Sequence, residues 1–189
     1  MIKVYIGIDI GSDGAYAIIV NDQLKVYGKI PSNGELDMSM LRDIFFENIP
    51  EEHNVKIIAG IEDLHSIYGS SAKSNFQFGV NNGLVVGFLQ TIEFPHIKIS
   101  PKKWQKEMWQ GIRPVMIPSM EKKKKGQPAV QKKNKDGSPK YKVDTKATSL
   151  IAAKRLFPTE SFLATERSKV PHDGIVDAVL IAEYCRRKY

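Results

Sequence analysis

One carboxylate interrupts the apolar run Val4-Tyr5-Ile6-Gly7-Ile8-Asp9-Ile10, and the turn Gly11-Ser12-Asp13-Gly14 follows at once. The run has the length and the Val, Ile and Tyr content of a strand, so Asp9 belongs to a sheet that buries apolar residues. By period-2 alternation it faces the side opposite Ile6, Ile8 and Ile10. An isolated ionised group is not left in apolar surroundings without a partner such as a cation or a metal. Two further stretches repeat the pattern. Glu62 ends the apolar run Ile57 to Ile61, and Asp173 and Asp177 open the apolar segment Ile175 to Ala182. Four acids, each attached to a hydrophobic element, predict a divalent-metal site and hence an enzyme.

The rest of the chain tells how such acids meet. Residues 3–10, 15–20 and 24–30 read as three short strands separated by turn signals, an antiparallel meander. Leu36 to Ile49 carries apolar residues at helical spacing. Val55 to Ile61 is almost continuously apolar, as expected of a strand covered on both faces. A helix is predicted from about Ser74 to Ile92, with Gly79, Gly83 and Gly87 on one side. Glycine costs a helix roughly 1 kcal/mol against alanine, so three on one face predict close approach of another backbone, from the sheet or from a second subunit. Ile97 to Ser100 reads as a fifth strand, followed by a short helix from Pro101 with Trp104 and Trp109. Asp144-Thr145 opens a helix to Phe157, and a last helix follows Pro171-His172-Asp173. The expectation is an α/β fold, a five-stranded mixed sheet flanked by helices, in one domain spanning 1–189.

Composition narrows the class. With 42% hydrophobic and 26% charged residues, the 189-residue chain is that of an ordinary globular protein. It has no apolar run of the ~18–20 residues a membrane span needs. A strand starting at Ile2 or Lys3 leaves no room for a leader, and the single Cys185 rules out an internal disulfide, so a cytoplasmic protein is expected. The charge is localised. Ten lysines lie between Glu121 and Lys146 against three acids, and this stretch alone accounts for the chain's net charge of +7. A polycation on a neutral body points to a polyanionic partner, nucleic acid or anionic lipid. The prolines, glycines and lysines of about 113–142 predict a flexible basic insertion.

Magnesium takes oxygen ligands and is usually held by a few carboxylates, with room for phosphate and water. Two such ions about 3.5–4 Å apart activate water at one side and stabilise the leaving oxygen at the other. In open α/β sheets ligand sites lie beyond the carboxyl ends of strands, where Glu62 stands and Asp9 is near. Asp173 and Asp177, four apart, share one face of a helix. Singly, each acid also has a structural reading: Asp9 as a turn cap, Glu62 as a strand-end charge that Asp63 would replace, Asp173 as a helix cap. Jointly the pattern is more specific.

Gly7-Ile8-Asp9-Ile10-Gly11-Ser12, Ile61-Glu62-Asp63 and His172-Asp173-Gly174-Ile175-Val176-Asp177-Ala178 resemble the three signature blocks of RuvC-type Holliday-junction resolvases, within the ribonuclease H-like superfamily. The last block, with its four-residue acid spacing, is most similar to the phage and plastid branch; the bacterial enzymes usually have three. Ser71 to Ser74, Pro101 to Trp104, and Lys146 before Leu156-Phe157-Pro158 add to the likeness, which excludes the basic insertion. The resemblance implies a homodimeric, magnesium-dependent endonuclease, with manganese substituting and two ions per site. It implies paired symmetric nicks in a branched, four-way DNA junction, leaving 5'-phosphate and 3'-hydroxyl ends. Asp9, Glu62, Asp173 and Asp177 would be the metal ligands. Lys146 matches a basic residue near the scissile phosphate, or is a solvated helix lysine. His172 is a helix-start residue or a group behind the metal ligands.

For DNA contacts the candidates are Lys73, Lys102 and Lys103, Tyr68 in the loop after Glu62, and Lys122, Lys123, Lys124 and Lys125 of the insertion. Lys98, Lys102, Lys103 and Lys106 surround Trp104, either as a nucleic-acid surface or with Trp104 and Trp109 anchoring the helix in the core. Two other functions fit parts of the pattern. One is a ribonuclease H-like nuclease for RNA–DNA hybrids, flaps or structured RNA. The other is an actin-like ATPase fragment, since Asp9-Ile10-Gly11-Ser12 also suits a phosphate-cradling hairpin; no second such hairpin follows, and the chain is short for that class.

Overall fold

Asn21 and Asp22 both adopt positive φ, at 45° and 70°, the two-residue turn whose twist suits a hairpin. They join β2 (Ala15–Val20) to β3 (Gln23–Lys29), and β2 pairs antiparallel with β1 (Ile2–Asp9). The structure, a computed structural model, describes residues 1–11, 14–63, 71–121 and 130–189. After the meander, α1 (Met38–Asn48) starts where the Asp37 side chain accepts from Met40 N at 2.9 Å. The chain then returns as β4 (Val55–Glu62), parallel to β1, and β5 (His96–Ile99) adds parallel to β4 beyond α2 (Ala72–Thr91). The sheet order is β3-β2-β1-β4-β5, the five-stranded mixed sheet expected. Then come α3 (Pro101–Met108), a two-stranded ribbon of β6 (Met116–Pro118) and β7 (Tyr141–Val143), α4 (Thr145–Leu156) and α5 (Asp173–Lys188). Among the described residues no helix is long and apolar enough to cross a membrane.

Alternation along β1 divides the core. Val4, Ile6, Ile8 and Ile10 join Leu41 and Phe45 of α1 and Val85, Phe88 and Leu89 of α2. Tyr5 faces the other layer, where α5 lies among Trp104 and Met108 of α3 and Ala152 and Ala153 of α4. From Ile175 to Cys185 α5 is buried except at Asp177, as expected of a helix covered by a sheet below and helices above. Its seat is made by two glycines in register, Gly7 on β1 and Gly60 on β4. A Cβ on Gly7 would stand 1.9 Å from Ala178 O, and one on Gly60 2.5 Å from Cys185 Sγ. Glycine is required here by close approach, not by turn geometry.

Two expectations change. The three glycines of α2 do not meet the sheet: a Cβ at Gly79, Gly83 or Gly87 would touch nothing within 4 Å. Gly83 and Gly87 border an open apolar groove with Met38, Val80 and Leu84. The segment read as a flexible insertion also carries regular structure in its described part. β6 and β7 pair antiparallel, and residues 130–134 bridge to both flanks through Met120↔Gln131 and Lys133↔Pro139. The described residues of this segment add nothing to the buried core, and main-chain hydrogen bonds build a ribbon from them.

The Gly7–Ala178 contact is backbone against backbone, so no rotamer change relieves it. Gly7→Ala should lower stability by at least about 3 kcal/mol, the upper range for overpacking, and Tm by roughly 6–12 °C. Urea and thermal unfolding measure both.

Candidate active site

Asp9 is the last residue of β1 and Glu62 the last of β4. Because Ile8 pairs with Ile61, the parallel register sets these two acids side by side on the face that α5 covers. They are 8% and 7% exposed, which makes them buried charges at the carboxyl ends of adjacent parallel strands. Asp63 turns the other way and its N–H joins β5 at Ile99 O, 2.8 Å, so Glu62 is the acid that faces the site. α5 begins over the pair. Its cap is His172, whose Nδ1 accepts from Ile175 N at 3.4 Å, and Asp173 and Asp177 follow on one face. α4 adds Lys146, which forms an ion pair with Asp173, and Ser149, whose hydroxyl donates to Asp177. All four predicted acids and Lys146 line one cavity of about 380 Å³.

Burial raises the proton affinity of this cluster. The Asp177 carboxyl is pushed up to about 8, first by desolvation and then by the charges of Asp9 and Glu62. Desolvation and the Asp9 charge push Glu62 up to about 7. Asp9 is also raised, chiefly by burial, against the opposing effect of the Gly11 N–H that it accepts at 3.0 Å. Like carboxylates in a shared low-dielectric site disfavour each other's ionisation. Lys146, at the exposed rim, is raised by its hydrogen bond and charge pairing with Asp173.

The donor set fits a hard divalent cation: oxygen atoms only, on carboxylates whose mutual repulsion a cation would relieve. Asp9, Glu62, Asp173 and Asp177 are the residues that would hold it. Among the described residues no three of them converge on a single coordination point, so they form an acid-lined cavity, not a closed ligand cage.

Three residues that shape the site were not singled out for it from the sequence. Trp104 is fully buried and its Nε1 donates to Glu62 Oε1 at 3.0 Å, so it belongs to the core and fixes a site carboxylate at once. The same burial removes it from any stacking surface. Trp109 packs partly buried against the same core. Gly174 is required by space: a Cβ there would lie 2.8 Å from Asp9 Oδ2. The HDG spelling was the available signal. Ser149 gave none, being one small residue in a helix. Lys73, Lys102 and Lys103 are exposed, at the first turns of α2 and α3. Tyr68 and Lys122 to Lys125 lie outside the described residues.

A five-stranded mixed sheet in the order β3-β2-β1-β4-β5, flanked by helices, is the α/β fold expected of the chain. The solved structures bear this out. The chain is similar to Thermus thermophilus RuvC in complex with a Holliday junction substrate, with a TM-score of 0.57 at 10% identity over 100% of this chain and 97% of that one. A second Thermus thermophilus RuvC structure matches with a TM-score of 0.51 at 12% identity, covering 99% and 96%. At such identities the likeness is one of fold, the α/β fold of RuvC. No family model and no curated protein sequence matches the chain.

The raised carboxyls set a pH dependence. Folded Glu62 and Asp177 keep protons that their unfolded forms, near 4.5 and 3.8, release. Over that interval the folded state binds more protons, so the metal-free protein loses stability as pH rises, up to about 8. In chelator, the Tm advantage of Asp177→Asn over the unaltered protein should therefore grow by several degrees between about pH 5 and about pH 8. Magnesium should raise the Tm of the unaltered protein more than that of the variant. Thermal unfolding across pH checks both.

Proposed function

We propose that the chain is a divalent-metal-dependent endodeoxyribonuclease that resolves four-way DNA junctions. The observation that carries this reading is the cavity in which buried Asp9 and Glu62 at the strand ends meet Asp173 and Asp177 of α5, in a fold that matches a junction-bound RuvC over its whole length. Magnesium, two ions per site with manganese able to substitute, would supply activation of water and stabilisation of charge on the phosphodiester. Asp9, Glu62, Asp173 and Asp177 are the proposed ligands.

The chain's other residues have defined parts in this proposal. Trp104 holds Glu62 by its indole N–H, and Ser149 holds Asp177 by its hydroxyl. Gly11 N–H orients Asp9. Lys146 stands at the cavity rim with its ammonium exposed, suited to a phosphate oxygen once it leaves Asp173. Lys73, Lys102 and Lys103 present charge to flanking phosphates, and Tyr68 and Lys122 to Lys125 remain candidate contacts. The products are 5'-phosphate and 3'-hydroxyl ends. Paired nicks need two active sites, so the proposal includes a homodimer. The open groove of α2, next to a Phe76 that is 73% exposed, offers the second copy an apolar surface.

The test supplies purified protein and magnesium with a mobile four-way junction, a matched duplex, an RNA–DNA hybrid and a flap. Symmetric paired nicks confined to the junction are expected; preferential cleavage of the hybrid would overturn the reading. Asp9→Asn and Asp177→Asn should bind the junction yet cut it at least about 100-fold more slowly, equivalent to roughly 2.7 kcal/mol of barrier. Trp104→Phe, which keeps an aromatic side chain but loses the indole N–H that Glu62 accepts, should cut about 10-fold more slowly.

A further inference from the structure

The ribbon rooted beside the acid cavity gathers exposed lysines on one side, and packing does not explain them. Cross-strand partners fix which residues share a side. Ile117 pairs with Lys142, Met120 with Gln131, and Lys133 with Pro139. Alternation then sets Met116, Pro118, Met120, Gln131, Lys133 and Tyr141 on one face and Ile117, Lys132, Lys140 and Lys142 on the other, so three of the four lysines gather on one side. Lys132 and Lys140 are directly opposed, since Lys140 N donates to Lys132 O at 2.8 Å and the next pair along is Lys133 with Pro139. Like charges directly opposite each other destabilise a strand pair. Among the described residues no ion pair engages any of the three lysines, all of which are exposed. Glu121 is on the same face but at its far end, where its N–H donates to Val130 O. Asp136 is engaged locally, accepting from Ser138 N at 3.0 Å and from its hydroxyl at 2.6 Å.

The base of the ribbon is tied to the site. Asp144 N donates to Val115 O at 2.8 Å, closing the ribbon, and Val115 N donates to Thr148 Oγ1 at 3.1 Å on α4. Thr148 is fully buried, and Asp144 also caps α4 by accepting from Ala147 N at 3.1 Å. Lys146, at the cavity rim, lies in the same first turn. The lysine face is therefore carried on the helix that positions a cavity residue, not on an independent tether.

We propose that the Lys132–Lys140–Lys142 face of this ribbon is a phosphate-binding arm that seats a duplex arm of the DNA next to the acid cavity. This rests on the nuclease reading for its choice of DNA as the polyanion. A row of phosphates relieves the opposed lysines and matches a strand ladder that presents one cation every second residue. Such contacts are independent of sequence and release counterions, so they contribute to affinity in a salt-dependent way.

The experiment measures binding of the full chain to a four-way junction and to a linear duplex over a salt series, in chelator so that nothing is cut. Replacing Lys132, Lys140 and Lys142 together by alanine should reduce the slope of log K against log salt by about 3, at ~0.9 per lost phosphate contact. The three Lys→Arg changes should keep the slope, and alanine at Lys3, Lys25 and Lys56 on the sheet should leave it unchanged. An unchanged slope in the ribbon variant, or an equal drop in the sheet variant, overturns the arm. So does loss of binding to phosphatidylserine vesicles in a ribbon variant whose DNA slope is unaltered, which would assign the face to lipid. A protein that binds through the ribbon but never nicks a junction retains the arm and loses the nuclease reading. One that nicks junctions with an unaltered slope does the reverse. A protein with no affinity for DNA loses both.

Discussion

The close seating of α5 on Gly7 and Gly60 is the contact on which the other features depend. These glycines lie across from each other in the parallel pair β1–β4, and together they let the helix backbone approach the sheet to within contact of Ala178 O. Had either position carried a side chain, α5 would stand off. Its first turns would then no longer reach over the ends of the two strands, where Asp9 and Glu62 are found. One packing decision in the core thus sets the spacing of four acids at the surface end of the same helix. Gly174 continues the logic by a single residue, leaving room for the Asp9 carboxylate beneath the helix start.

That arrangement works against the stability of the bare fold. Burying Asp9, Glu62 and Asp177 together raises all three carboxyls, because desolvation and mutual repulsion act in the same direction. The surrounding polar groups offset part of this: Gly11 N–H on Asp9, Trp104 on Glu62, Ser149 on Asp177. Carboxyls gathered at such expense of stability are a common mark of functional sites.

Much of this was legible in the chain itself. The meander, the return strand and the helices follow from Val/Ile-rich runs, from apolar residues at helical spacing and from the Asp144 cap and the Asn21-Asp22 turn, which act locally. The acids were legible because each breaks an apolar pattern. What sequence could not supply was distance across the chain. Nothing near Trp104 announces that its indole reaches Glu62, 42 positions earlier, nor does Ser149 announce Asp177. The glycines of α2 illustrate the same point: a small-residue stripe marks room for close approach, and within this chain the sheet does not take it up. The basic segment is a different case. Its composition excludes a core, but a ribbon closed by main-chain hydrogen bonds needs none.

Cys185 sits on α5 against Gly60, fully buried, with its thiol pushed up to about 12 by desolvation. The thiolate is the reactive form, so in the native state this sulfur is chemically silent at neutral pH. The chain has no other thiol. Alkylation of Cys185 therefore reports only the moments when α5 lifts from the sheet. Because the same helix carries Asp173 and Asp177, the labelling rate is a clock for how often the acid cavity comes apart.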